Sequence, residues 1–168
     1  VADVRLERAL KVPADSGADA LGETLKAIAE QQGMWRGFAL HVGLGELRLP
    51  DVGYIAIPIR LTASKDPDQA RTYAIAFTSA NLPAAFPGFN GVLGFAQAGL
   101  GESTLFLRGA YELPLQFFGR LFDAALMPRV AERSLENFLD EIASACEARV
   151  NQREAEYARY QFFARNVQ

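Results

Sequence analysis

Ser103-Thr104-Leu105-Phe106-Leu107-Arg108-Gly109-Ala110-Tyr111-Glu112 alternates apolar and polar residues with a period of two. A short way further on, Ala131, Leu135, Phe138, Ile142 and Cys146 recur at spacings of three and four. The first pattern is that of a half-buried strand, and the second is the apolar stripe of an amphipathic helix. The period changes near residue 115 and does not change back. The chain is therefore expected to build its sheet first and to close it with a long C-terminal helix covering at least residues 131–146.

Upstream of this junction the strand signals come in succession. Residues 91–97 precede 103–112, with Gly99, Gly101 and Glu102 between them. Residues 70–78 form the strand before those, and 53–63 the one before that, with Ile55, Ile57, Ile59 and Leu61 on one side. Ser64-Lys65-Asp66-Pro67-Asp68 makes a hairpin connection. Pro58 inside the 53–63 strand suggests an edge position or a bulge. Phe38, Leu40, Val42 and Leu44 share one face of an earlier strand. Leu47 and Leu49 then lead into a Pro50-Asp51 turn. At the N-terminus Val4, Leu6, Leu10 and Val12 share one parity, which predicts a strand over 3–12. Asp15 or Ser16 can then cap a helix running to about residue 32, with Gly33 closing it. Five or six strands, with no helix between the second and the sixth, exclude repeated βαβ units and predict an antiparallel meander.

Downstream, Phe117, Phe118, Leu121, Phe122 and Ala125 suggest a short helix. Pro128 marks a kink or a fresh helical start, with the proline in the first turn. Residues 147–168 alternate charges with recurring Ala, a good helix former. Val150, Tyr157, Tyr160 and Phe163 lie loosely along one side of that tail. Past Cys146 the helix has run out of sheet to pack on, so its apolar side needs cover. The expected occupant is a second copy in a two-fold homodimer, and folding back or fraying is the alternative.

The chain has 168 residues, enough for one well-cored domain and short for two. The expected organisation is a domain over 1–150 and a helical extension over 151–168. With 17 basic and 20 acidic side chains the formal charge is −3, so no nucleic-acid or anionic-membrane partner is expected. No apolar run approaches a membrane span, no signal peptide is visible, and a cytoplasmic protein is expected.

The order strand, helix, meander, long helix carries a resemblance, and local motifs sharpen it. Leu107-Arg108-Gly109-Ala110-Tyr111-Glu112-Leu113-Pro114-Leu115 is followed by Phe118-Gly119-Arg120-Leu121-Phe122-Asp123 and by Arg129-Val130-Ala131-Glu132. Leu10-Lys11-Val12-Pro13-Ala14-Asp15 stands at the other end. Together these resemble a bacterial branch of the START/Bet v 1-like superfamily (SRPBCC), in which a last strand ends in Gly-x-Tyr-x-x-Pro-Leu. The motifs cover about a quarter of the chain. Pro128 and the extension beyond about residue 150 depart from that branch. The resemblance implies a helix-grip fold of class α+β, a curved antiparallel sheet of five to seven strands wrapped around the long helix. It also implies an internal cavity, and it brings no catalytic residues with it.

Such a cavity would be lined by Leu135, Phe138 and Ile142 of the helix and by strand residues such as Phe95 and Tyr111. Arg8 shares parity with Val4 and Leu6, so it needs an acidic partner, a ligand anion or a path to solvent. Tyr73 alternates with Ile75 and Phe77, and Tyr111 with Leu105 and Leu107. Their hydroxyls suit the polar end of a ligand or an ordinary core partner. His41 lies on the parity opposite its apolar neighbours and is a poor general base without an orienting group. Arg120 can pair with Asp123 or Glu132. Cys146 reads as a small buried apolar residue rather than a reactive thiol. Metal-ligand spacings are absent, and the Gly-rich stretch 87–101 has no nucleotide-binding pattern, so no cofactor is expected.

No catalytic constellation emerges, and three functions stay open. The chain binds or carries a small apolar molecule, it is an enzyme of cyclase or dehydratase type using the same cavity, or it is an interaction protein with a collapsed cavity and a partner-binding C-terminal helix.

Overall fold

The alternating stretches form strands and the 3.6-periodic ones form helices in a computed structural model, which describes residues 1–31, 39–43, 54–80, 88–112 and 127–166. In chain order these are β1 (Ala2–Leu10), α1 (Ala14–Glu30), β2 (Ala39–Gly43), β3 (Tyr54–Lys65), β4 (Thr72–Ser79), β5 (Gly88–Gly99), β6 (Glu102–Glu112) and α2 (Met127–Asn166). Every strand pair is antiparallel, and the spatial order is β1-β6-β5-β4-β3-β2. The six strands fall within the expected five to seven.

The curvature follows from what α2 touches. It packs against β1 and also against β2, which stand at opposite edges of the sheet. Six strands laid flat would separate those edges by about 24 Å at a spacing of ~4.8 Å. A single helix is only about 10 Å across. The sheet must therefore curl so that both edges reach α2. α1 lies on the same inner face, over β3 and β5, and packs on α2. Arg149 and Arg153 of α2 both pair with Glu23 of α1, the first at 3.4 Å.

Three rungs of side chains cross the inner face. Leu6, Leu107, Leu93 and Tyr73 form one, and Ala2, Tyr111, Phe89, Phe77 and Leu61 form another. Between them runs Val4, Gly109, Gly91, Ile75 and Ala63. The middle rung has no side chain at its centre, where two glycines face each other across β5 and β6. Phe89 leans its ring into that gap.

Some local expectations are corrected. α1 starts at Ala14 with Pro13 at its N-cap position and no side-chain cap, and the Gly17 amide donates to the Pro13 carbonyl at 2.9 Å. Asp15 instead stands in the first turn and binds the Arg71 guanidinium at 2.6 Å, which lowers its carboxyl below the usual range. Pro58 lies in β3, an interior strand with no bulge at the proline. It sits where the β2 ladder meets the end of the β4 ladder, so its missing N–H breaks no continuous run. The one register shift between β5 and β6 lies between Gln97 and Gly99, beside a turn in which Gly101 takes φ 72°. Pro128 does fall in the first turn of its helix. Gly33, the Pro50-Asp51 turn and the expected short helix over 117–125 lie outside the described residues.

One buried polar atom among the described residues has no partner, the hydroxyl of Ser103, beside Leu10 and Gln97 in the register. Desolvating a hydroxyl without a hydrogen bond costs roughly 1–3 kcal/mol. Ser103→Ala removes that cost with little loss of packing. The variant is expected to be more stable by about 1 kcal/mol, raising the thermal midpoint by about 3 °C. A lower midpoint in a thermal melt would show that the hydroxyl has a partner.

Candidate functional site

The candidate site is the layer of side chains that meet between the inner face of the sheet and α2. From the helix come Leu135, Phe138 and Ile142, all buried at the expected stripe. From the sheet comes an aromatic tier. Phe77 stacks on Phe89 with centroids 5.2 Å apart, and Phe138 tilts against Phe77 at 5.4 Å. Tyr111 stands opposite Phe89 in the β5–β6 register and is buried. The structure thus brings Phe138 and Tyr111 into one neighbourhood, around Phe77 and Phe89. Sequence reasoning singles out neither of those two phenylalanines as a site residue. The shared parity of Tyr73, Ile75 and Phe77 is the signal for the first. Phe89 adjoins a turn-rich stretch, which hides it.

Phe95 and Tyr73 go elsewhere. Both are on the inner face, but they serve α1. A Cβ placed on Gly17 would come within 2.7 Å of the Phe95 ring, and one on Gly22 would run into the Tyr73 hydroxyl. The two glycines of α1 therefore let the helix settle onto two aromatic residues of the sheet. Phe95 and Tyr73 form the end of the inner face that α1 covers.

Arg8 has both exits that its parity demands. Its Nε pairs with the carboxylate of Asp140 on α2, its Nη1 donates to the Glu7 carbonyl at 2.9 Å, and a third of the side chain reaches solvent. The pair ties the edge strand β1 to the middle of α2. Asp140 escapes a reading of the sequence, because it lies on the exposed flank of the helical stripe and looks like any solvated acid.

The tyrosine hydroxyls are held neutral. Burial, with the Asp19 carboxylate nearby, raises Tyr73 above the ordinary phenol range. Burial, with Glu132 nearby, does the same for Tyr111. Both are set up to donate or accept a hydrogen bond rather than to give up a proton. Cys146 is fully buried, and burial pushes its thiol up to about 11. It is protonated at neutral pH and is no nucleophile there. His41 lies in β2, with its side chain outside the described set, and Arg120 and Asp123 are outside it altogether. Among the described residues no group of three or more His, Cys, Asp or Glu is placed to hold a metal ion. No described helix is long and apolar enough to cross a membrane.

A curled antiparallel sheet gripping one long helix defines the helix-grip class, and solved structures of that class align along nearly the whole chain. No family model matches the sequence, and no curated protein does. Among solved structures, TTHA0849 from Thermus thermophilus aligns at 16% identity with a TM-score of 0.53, over 88% of this chain and 98% of its own. The Zhui aromatase/cyclase from Streptomyces sp. R1128 aligns at 15% identity and 0.52, over 89% and 95%. Ara h 8.0201 aligns at 12% and 0.51, over 90% and 98%. The structural neighbours are Bet v 1-like (SRPBCC) proteins, and the chain shares their fold.

Proposed function

We propose that this protein binds a small, largely apolar molecule between the inner face of its sheet and α2, and that it assembles as a homodimer through the C-terminal helix. The observation that carries the binding reading is the aromatic tier of Phe77, Phe89 and Phe138, with the neutral hydroxyl of Tyr111 beside it. Flat apolar surface with one or two placed polar groups is what a small apolar ligand requires. The likeness to a protein named an aromatase/cyclase gives the enzyme alternative its weight. Two features favour binding over catalysis. The hydroxyls of the partly buried Tyr73 and the buried Tyr111 are held more firmly in their protonated, neutral form, and Arg8 already spends its charge on Asp140.

Titration of the native protein with an environment-sensitive apolar dye tests this. Saturable enhancement with one site per chain is expected, and its absence overturns binding in favour of a collapsed interior. Arg8→Met in the same titration assigns the role of the guanidinium. If Arg8 only ties β1 to α2, dye affinity stays within about threefold and stability falls by roughly 1 kcal/mol, the scale of a partly exposed ion pair. A tenfold loss of affinity at unchanged stability would instead make Arg8 a ligand contact.

A further inference from the structure

α2 outlives its sheet. Val150 is the last residue of the helix buried in the domain, so it belongs to the core rather than to a docking face. From Asn151 to Asn166 every side chain except that of Arg153 is exposed. Tyr157, Tyr160 and Phe163 are more than half exposed. The two tyrosines are not scattered. Cys146, Val150, Arg153, Tyr157, Tyr160 and Ala164 follow one another at spacings of four, three, four, three and four. That is the seam of a coiled coil, and it continues the same helical face that Leu139, Ile142 and Cys146 bury against the domain.

We infer that the tail pairs with the tail of a second copy as an antiparallel two-stranded coil whose two-fold axis passes between residues 158 and 159. This rests on the homodimer reading above and specifies its interface. Three features meet at that axis. Length is the first: the exposed stretch runs about 24 Å, and with this axis residue 166 of one copy reaches residue 151 of the other, where the domain body begins. Packing is the second, because the same register sets Tyr157 opposite Tyr160 of the other copy, while Arg153, held by Glu23 of its own α1, closes the seam at the domain end. Charge is the third. Glu154 and Arg165 lie on one flank of the seam and come level to within about 3 Å along the axis. Glu156 and Arg159 do the same towards the other flank. Symmetry repeats each pair, giving four opposite-charge contacts, and they surround one like-charge approach, Arg159 to its own copy, offset by about 1.5 Å along the axis.

Two measurements test the inference. The intact chain should have the mass of a dimer at micromolar concentration. Tyr157→Glu with Tyr160→Glu should raise its dissociation constant at least about 100-fold. Both side chains are exposed in the single chain, so the domain is expected to fold unchanged. Nitroxide labels on Asn151→Cys and, separately, on Ala158→Cys then read the register, since Cys146 is buried. Across the two-fold the two 158 labels are offset by about 1.5 Å along the axis and the two 151 labels by about 22 Å. A short separation at 158 with a much longer one at 151 supports the antiparallel coil. Equal separations would overturn the register while leaving the dimer. A dimer indifferent to the double glutamate variant would place the interface elsewhere, and a monomeric intact chain would overturn the homodimer reading itself.

Discussion

Gly109→Ala should cost the fold more than about 3 kcal/mol, and far-UV circular dichroism with urea titration should find it largely unfolded or with a sharply lowered midpoint. The backbone at Gly109 is not in the left-handed region, so conformational strain is not the reason. Space is the reason. A Cβ there would lie 2.6 Å from the Cα of Gly91 and 2.7 Å from the Phe89 ring, and closer still to the Asn90 carbonyl. The obstacles include the backbone of β5, an interior strand whose ladder to β6 must open to make room. Phe89→Ala should therefore not rescue Gly109→Ala, because it removes the ring and leaves the carbonyl. Gly101→Ala makes the contrast. There φ is 72° and no atom lies within 4 Å, so only the left-handed penalty of roughly 1–2 kcal/mol applies. Equal costs at the two glycines would mean that β5 and β6 separate easily, and that the empty middle rung is no structural requirement.

That rung also marks the limit of what the sequence reveals. Alternation is a local property, and it places Val4, Leu6, Ile75, Phe77, Leu105 and Leu107 on the inner face correctly. Helical spacing is local too. Ala131, Leu135, Phe138, Ile142 and Cys146 are all buried, and α2 continues through the tail to Asn166 as its composition suggests. The pairing of two glycines across strands is not local, since it depends on the register of β5 against β6. For the same reason the partner of Arg8 is not legible. Asp140 is 132 residues away, and only the crossing of β1 by α2 joins them. Parity places Tyr73 and Phe95 on the inner face, but which helix lies over them depends on where α1 docks. The period of a strand names a face without naming its neighbour. The curl of the sheet likewise comes from element order and resemblance, and its cause, a single helix reaching both edge strands, exists only in three dimensions.

Phe138→Ala should cost about 3–5 kcal/mol, the usual range for removing a buried aromatic ring from a well-packed site. The ring is almost completely buried and lies 5.4 Å from Phe77, which in turn stacks on Phe89. Its loss takes contacts from both faces of the space, because the tier links α2 to the middle of the sheet. The void left behind would be lined by aromatic and aliphatic carbon. A void of that kind stays dry and takes up small apolar molecules. Benzene should accordingly raise the urea midpoint of Phe138→Ala, by roughly 1.4 kcal/mol at ten times its dissociation constant, and should leave the wild-type midpoint nearly unchanged. The dye titration then separates the two fates of the interior. If the tier lines a ligand site, the variant should bind the dye at least tenfold more or less tightly than wild type. If the tier is solid core, wild type binds no dye and only the variant gains a site. A stability loss below about 1 kcal/mol would contradict both, since the ring would then hold neither the core nor a ligand.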